Sequence, residues 1–230
     1  MPDSVFQKYA VRAYPYRFAG ELQIARLVGG VPSDENIIAG WVKTKLALKD
    51  DLIRQAVAEV MAERGISAED AATVVAETLT LNGFKRDPDH GLYIEGRQLK
   101  AALKAAAVIA MSVDKIPRRW GQTKKGVEAF VAEHIGVIED RLYIANGTKP
   151  CKEPTGVQRR FVHTFRGSAI QDEEYVENAT VQFTVECDHE FTEEEWAMIW
   201  LTAERQGIGA SKSQGYGRFV ITKWEPVNGR

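Results

Sequence analysis

The sequence predicts an α+β fold whose main elements follow in the order strand, helix, strand, strand, helix, strand. Three observations carry that prediction. Ala179, Val181, Phe183, Val185 and Cys187 alternate with Thr180, Gln182, Thr184 and Glu186, the mark of a strand buried on one face. Leu99, Ala102, Leu103, Ala106 and Ala110 make a stripe of mostly small apolar residues at helical spacing. Thr192-Glu193-Glu194-Glu195 reads as a capping box, and Trp196, Ile199, Trp200 and Ala203 then share one helical face. The order is that of a ferredoxin-like (RNA-recognition-motif-like) fold, with insertions after the first strand and the first helix.

Bulk properties bound the function. At 230 residues the chain can bury a real core, as one large domain or a small one with insertions. A net charge of −2 gives no global attraction to nucleic acid, so any such binding needs a local basic patch. Cys151 and Cys187 form neither a disulfide framework nor a zinc-ligand spacing. Met1-Pro2-Asp3-Ser4 does not open a secretory leader, and no run is long enough to span a bilayer, which predicts a soluble, cytoplasmic protein.

Along the chain, Val5 to Phe18 mixes aromatic, β-branched and basic residues and predicts a first strand that ends or bulges at Pro15. Gly29 to Asn36 has turn chemistry, and Asp34 within it suits a surface turn. Ile53, Val57, Val60 and Met61 predict a helix over Asp50 to Arg64 that Gly65 stops. Ser67-Ala68-Glu69-Asp70 is a second helix start, whereas Thr73-Val74-Val75 and Thr78 to Leu81 are equally good strand material, and that segment stays open. Asn82-Gly83 and Asp87 to Gly91 are turns.

Arg97, Lys100 and Lys104 lie off the apolar stripe of the helix that begins near Arg97. Asp114 to Lys125 has no clear periodicity and is the densest positive cluster, with Lys115, Arg118, Arg119, Lys124 and Lys125 around Trp120. Cations interleaved with an aromatic ring suit single-stranded nucleic acid, with a solvated loop around a half-buried tryptophan as the other reading. Arg141 to Ala145 and then Asn146-Gly147 predict a short strand and a tight turn. From Arg160 to Arg166 alternation puts Phe161, His163 and Phe165 on one face. His163 is either a packed histidine or a general acid or base for attack by an RNA 2′-hydroxyl.

Near the end, Gly207-Ile208-Gly209-Ala210-Ser211-Lys212-Ser213-Gln214-Gly215-Tyr216-Gly217-Arg218-Phe219 joins the last helix to a final strand reaching Trp224. Glycines at this density predict a loop shaped for close contact. A nucleotide phosphate loop runs from strand to helix, and here the order is reversed. Anion binding then falls to loop amides, Lys212 and Arg218, which favours an extended polyanion.

This stretch resembles the C-terminal glycine-rich loop of the RAMP superfamily of CRISPR-associated RNA-binding proteins. Tyr93-Ile94-Glu95-Gly96-Arg97-Gln98-Leu99-Lys100-Ala101-Ala102-Leu103 is similar to the strand, turn and helix start of its guide-RNA backbone-forming subunits. The resemblance implies one RAMP-like domain over residues 1–230, with a palm at about 5–18, 92–110 and 158–225 and insertions at about 19–91 and 111–157. It implies RNA contacts by Arg12, Arg17, Arg97, Lys100, Lys115, Arg118, Arg119, Trp120, Lys124, Gly207, Gly209, Ser211, Lys212, Ser213, Gln214, Gly215, Tyr216 and Arg218. The expected partners are single-stranded guide RNA, copies of the chain itself and other CRISPR-type subunits, with no membrane, cofactor or metal. Asp34 and His163 are the catalytic candidates if the protein is instead a repeat-processing endoribonuclease of that superfamily. A protein-interaction module is the third reading, favoured by Asp172-Glu173-Glu174 and Glu193-Glu194-Glu195.

Overall fold

The computed structural model describes residues 14–30, 58, 61–62, 65–70, 80–111, 118–164 and 167–227. Its organising element is a 21-residue strand, β9 (Gly167–Cys187), against which five of the nine other described strands are laid. β1 (Tyr16–Val28) pairs antiparallel along one side of it, from Tyr16 opposite Cys187 to Val28 opposite Tyr175. Along the other side lie three strands in succession. β5 (Ile135–Val137) pairs at Val185 to Cys187, β6 (Arg141–Asn146) at Ala179 to Val181, and β8 (Gly156–Thr164) at Gly167 to Tyr175.

The remaining strands extend the sheet at its edges. β2 (Thr80–Asn82) runs parallel to β9 at Gln171 to Glu173, just beyond the end of β1. β3 (Lys85–Asp87) and β4 (Gly91–Glu95) form a hairpin, and β4 pairs with β6. β7 (Lys149–Pro150) returns on β6 through the Asn146-Gly147 turn, and β10 (Phe219–Pro226) covers the free side of β1. The path is β10-β1-β9-β6-β4-β3, antiparallel at each step. The protein is therefore an α+β fold on a large, mostly antiparallel sheet.

Helices α1 (Gly96–Ala110), α2 (Lys124–His134) and α3 (Glu193–Gln206) accompany it. The alternation in β9 buries Ala179, Val181, Phe183, Val185 and Cys187, and these meet Leu22 and Ile24 of β1, Leu142 and Ile144 of β6, Leu99 and Leu103 of α1, and Trp196, Ile199 and Trp200 of α3 in one core. α3 starts at a complete capping box: the Glu195 amide donates to Thr192 Oγ1 at 3.2 Å, and the Thr192 amide donates to Glu195 Oε2 at 2.8 Å.

Three sequence expectations change here. Among the described residues the first strand begins after Pro15 and runs to Val28, well past residue 18, while residues 5–13 of the expected strand lie outside them. β1 is hydrogen-bonded on both sides, so a residue without an N–H is excluded from its interior. Its middle was hard to read because Gly20 stands where a strand normally carries a side chain. An added Cβ there would lie 2.2 Å from Phe183 Cζ, so the glycine leaves room for that ring.

The strand beside β9 in the core is β6, within the stretch read as the second insertion. The expected strand near 160–166 is instead half of a hairpin with the first part of β9. α2 was not read in the sequence at all, although Thr123 caps it by accepting from the Gly126 amide, and Val127 and Val131 bury its inner face.

Two smaller expectations hold among the described residues of the region before β2. The Gly65 amide donates to Met61 O with φ at +62°, a helix stop, and Ser67 Oγ accepts from the Asp70 amide at 3.1 Å. Arg12, Asp34 and Lys115 lie outside the described residues, as do the segments 31–57 and 71–79.

Candidate nucleic-acid interface

The glycine-rich loop folds back on the end of β1. After α3, the Gly207 amide still donates to Ala203 O, and the chain then turns so that the Ile208 amide donates to Gly217 O at 2.9 Å. The Ala210 amide donates to Val28 O at 3.1 Å, and the Gly217 amide to Arg26 O at 2.9 Å. Ser211, with φ +57°, sends its hydroxyl to Glu173 Oε1 at 2.7 Å. A short 3₁₀ turn, Lys212–Gln214, forms the tip.

This construction explains most of the glycines. All four have φ between +73° and +86°. A Cβ on Gly217 would lie 1.9 Å from Ile208 O, one on Gly207 2.8 Å from Gly217 O, and one on Gly209 2.8 Å from Val28 O. Gly207 and Gly217 are buried. These three positions thus serve the packing of the loop on its own chain rather than direct contact with a ligand. Gly215 differs: nothing but the far end of Arg218 lies within 4 Å of its would-be Cβ. The accessible surface of the loop is Lys212, Ser213, Gln214 and Arg218, flanked by half-buried Gly215 and Tyr216. Neither Lys212 nor Arg218 has an ion-pair partner among the described residues.

The second sequence motif arrives at the same end of the sheet. Gly29 continues β1, its amide donating to Glu174 O at 2.9 Å, and Gly30 O accepts from the Gly83 amide at 3.1 Å. Gly30 in turn sits beside Gln98, in the first turn of α1. The contacts run from Gly209 to Val28, through Gly29 and Gly30, to Gln98. The base of the loop and the start of α1 are therefore linked through the end of β1, and a shallow recess lined by Gly30, Gly83, Lys85, Arg97 and Gln98 lies at the helix start.

The charges at this end are mostly positive at the surface. α1 has no acidic residue in its first turn and no side-chain cap, but its N-cap residue is Glu95 and its Gly96 amide already donates to Asp140 O at 2.9 Å, so the positive helix end is partly offset. Arg97 is exposed and donates to Glu95 Oε2 at 2.8 Å. Lys85 donates to the other oxygen of Glu95 at 3.0 Å. Burial pushes the Glu95 carboxyl up, and the hydrogen bonds from Arg97 and Lys85 outweigh it, so the group stays ionised below the ordinary glutamate range. Lys100 is half-buried and has no ion-pair partner among the described residues. Glu173 and Glu174 are the acidic counterparts, and both are buried: Glu174 is tied to Arg86 at 2.9 Å and to the Phe84 amide at 3.1 Å.

The open face of the sheet is a poor surface for nucleic acid by comparison. It carries Glu21, Gln23, Thr180, Gln182, Thr184 and Glu186, opposite to the face holding Leu22, Ile24, Val181 and Phe183. Glu21 accepts from Gln182 and Thr222, and these hydrogen bonds hold its carboxyl below the usual range. The aromatic rings near this part of the sheet, Phe18, Phe183 and Trp224, belong to a cluster with Trp196 and Trp200 of α3. A base-stacking platform across the strands is absent among the described residues.

No protein-family model matches the chain, and no curated protein matches it. Among solved structures it is similar to a chain of a type III-B Cmr-beta assembly, seen by cryo-electron microscopy bound to cognate target RNA, with a TM-score of 0.52 at 13% sequence identity. The likeness is one of fold. It takes in 92% of this chain and 60% of that one, so this chain spans less than two thirds of the length of its structural relative.

In the basic segment before α2, the described side chains of Arg119 and Trp120 are committed within the fold. Trp120 is 1% exposed, packed against Phe130 and edge-on to Phe191, so it has no free face for a base. Arg119 donates to both oxygens of Glu195, at 2.6 and 2.5 Å, and to Glu190 O at 3.1 Å. It braces the capping box of α3 rather than reaching for phosphate. Arg118 lies with Trp120 in a single 3₁₀ turn, Arg118–Trp120, and Lys124 is exposed at the start of α2. Arg17 is exposed with Glu186 at 3.5 Å, near the opposite end of β9 from the glycine loop.

Of the catalytic candidates, Asp34 is outside the described residues. His163 lies in β8 opposite Ser168. What the sequence reading missed is Gly29-Gly30, taken as a plain turn, and Lys85. A glycine pair directly after a strand was the available signal, since it permits the close approach that joins the two motifs.

Proposed function

We propose that the protein is a sequence-tolerant, single-stranded RNA binding subunit of a CRISPR-type ribonucleoprotein, holding guide RNA by its backbone and assembling as repeated protomers with other subunits. The observation that carries this reading is the meeting of the glycine-rich loop and the start of α1 at one end of the sheet. Lys212 and Arg218 are exposed on the loop, and exposed Arg97, paired with Glu95, and half-buried Lys100 belong to the helix start. Such a strip suits phosphates in series, because cations and helix-end amides contact backbone without reading bases. The fold relative named above belongs to an assembly that holds RNA, which agrees with this assignment.

In this reading the chain is a single RAMP-like domain with a ferredoxin-like palm. The palm is β1, α1, β6, the second half of β9, α3 and β10, since β10-β1-β9-β6 has the strand order expected of two interleaved βαβ halves. The hairpin of β8 and the region between β1 and β4 are then additions to it. The grip comes from the end of the sheet and the loop, not from the open face of the strands.

The test is titration of a labelled single-stranded RNA, long enough for several protomers, with the wild type and with Lys212→Glu/Arg218→Glu at two salt concentrations. Binding that tightens as salt falls, grows in steps with RNA length and is lost in the double variant supports the assignment. Equal binding by both proteins, or none by the wild type, overturns it.

A further inference from the structure

At the other end of β9, some fifteen residues and so roughly 45–50 Å from the glycine loop, three potential ligands converge. β5 pairs with β9 so that Ile135 faces Cys187, which sets His134, the last residue of α2, opposite Asp188. The Asp188 amide donates to His134 O at 3.3 Å, continuing the ladder by one step. His134 Nδ1 lies 2.9 Å from Asp188 Oδ1, and His189 Nδ1 lies 2.7 Å from the same oxygen. One ligand atom from each of the three residues falls within 4.8 Å of the others. The two imidazoles stand edge to face at 4.2 Å, and Phe130 walls the group at 4.3 Å from His134.

We propose that His134, Asp188 and His189 bind a single divalent d-block cation, zinc above all. The donor set is two imidazole nitrogens and one carboxylate oxygen, the borderline ligands that zinc prefers. Metal–ligand bonds of about 2.0–2.2 Å put neighbouring ligand atoms of a tetrahedron about 3.3 Å apart. The present Nδ1 to Oδ1 separations need to open by only about half an ångström to reach that figure. Each imidazole would then coordinate through Nδ1 and carry its proton on Nε2. The ligands are graded from inside to outside, with side-chain exposures of 5% for Asp188, 13% for His134 and 44% for His189. An ion entering beside His189 keeps its fourth position toward water, as three-ligand zinc sites do.

The placement gives the ion a definite structural effect. It would tie the end of α2 to the connection between β9 and α3, just ahead of the capping box at Thr192 and the Arg119–Glu195 pair. The second His-bearing group, Asp87, Asp89 and His90, is a contrast. Its Asp87 carboxylate is occupied by the Asp89 and His90 amides, by Arg141 and by Tyr143, the pattern of a turn.

The experiment uses the 230-residue chain without an affinity tag, stripped with a chelator and titrated with Co2+ under optical detection, then with Zn2+ in competition. One equivalent of Co2+ with visible d–d bands of four- or five-coordinate intensity, displaced by zinc, is expected. Asp188→Asn and His134→Ala should each weaken binding at least tenfold, and His90→Ala should leave it unchanged. His189→Ala is the safeguard against misfolding, because that side chain is the most exposed of the three, and it too should weaken binding at least tenfold with an unaltered far-UV spectrum. Zinc should raise the melting temperature of the wild type and not that of Asp188→Asn. Less than half an equivalent bound by the wild type, or wild-type affinity retained in His189→Ala, overturns the proposal.

Discussion

Alanine at Gly217 and at Gly215 should separate the two roles of glycine in the 207–219 loop. At Gly217, φ is +73° and the new methyl group would sit 1.9 Å from Ile208 O, a backbone atom that cannot swing aside. Relief requires the loop to move, which breaks the Ile208 amide to Gly217 O bond and the Gly217 amide to Arg26 O bond, both 2.9 Å long. Two hydrogen bonds at about 1 kcal/mol each and a left-handed alanine at about 1–2 kcal/mol sum to about 3–4 kcal/mol. At Gly215 the backbone is equally left-handed, with φ +86°, but the methyl group meets only Arg218 Cζ at 3.9 Å. Only the conformational cost of about 1–2 kcal/mol remains. For a chain of this length each kcal/mol moves the melting temperature by about 2–4 °C. Scanning calorimetry should therefore find Gly217→Ala down by about 10 °C and Gly215→Ala by about 4 °C. Equal losses at the two positions would refute the argument that close packing, rather than backbone conformation alone, fixes Gly217.

Other expectations follow from the same geometry. Neutralising both cations, as Lys212→Gln/Arg218→Gln, should flatten the dependence of log affinity on log salt by about 1.4, the share of two single-strand phosphate contacts, measurable by fluorescence anisotropy. Arg119→Ala should lower stability by about 1–3 kcal/mol in urea melts, because it leaves the nearly buried Glu195 carboxylate without its cation, while RNA binding per folded molecule is unchanged. Weakened RNA binding with unchanged stability would restore Arg119 to the interface. Trp120→Ala should cost about 3–5 kcal/mol by opening a cavity against Phe130 and Phe191, read by the same melts. Burial, with Asp188 and Glu186 nearby, pushes the Cys187 thiol up to about 12, so maleimide at neutral pH should modify Cys151 first and reach Cys187 only on unfolding. Rapid native-state labelling of Cys187 would contradict its place in the core.

How much of the site could be read beforehand depends on the range of the interactions. The glycine loop and the 93–103 stretch were both visible, because turn chemistry and helix starts are written in a few consecutive residues. Their union was not, since it passes through Gly29, Gly30 and Gly83, far from both in sequence. The basic run around Trp120 shows the opposite failure. Composition made it look like an RNA contact, yet Arg119 finds its carboxylate 76 residues away and Trp120 finds its ring partners on α2 and ahead of α3. The His134, Asp188 and His189 group was invisible for the same reason, with 54 residues between its first two members.

By itself the sequence determined the elements whose signals are local. These are the alternation of 179–187, the small-residue stripe of α1, the capping box of α3, the Asn146-Gly147 turn and hence an α+β fold. The tertiary structure alone decided which strands lie beside β9, where β1 begins and ends among the described residues, and which cations are tied into ion pairs. A side chain's period is set by its own backbone, whereas strand order and charge pairing are set by whichever distant residues the core brings alongside.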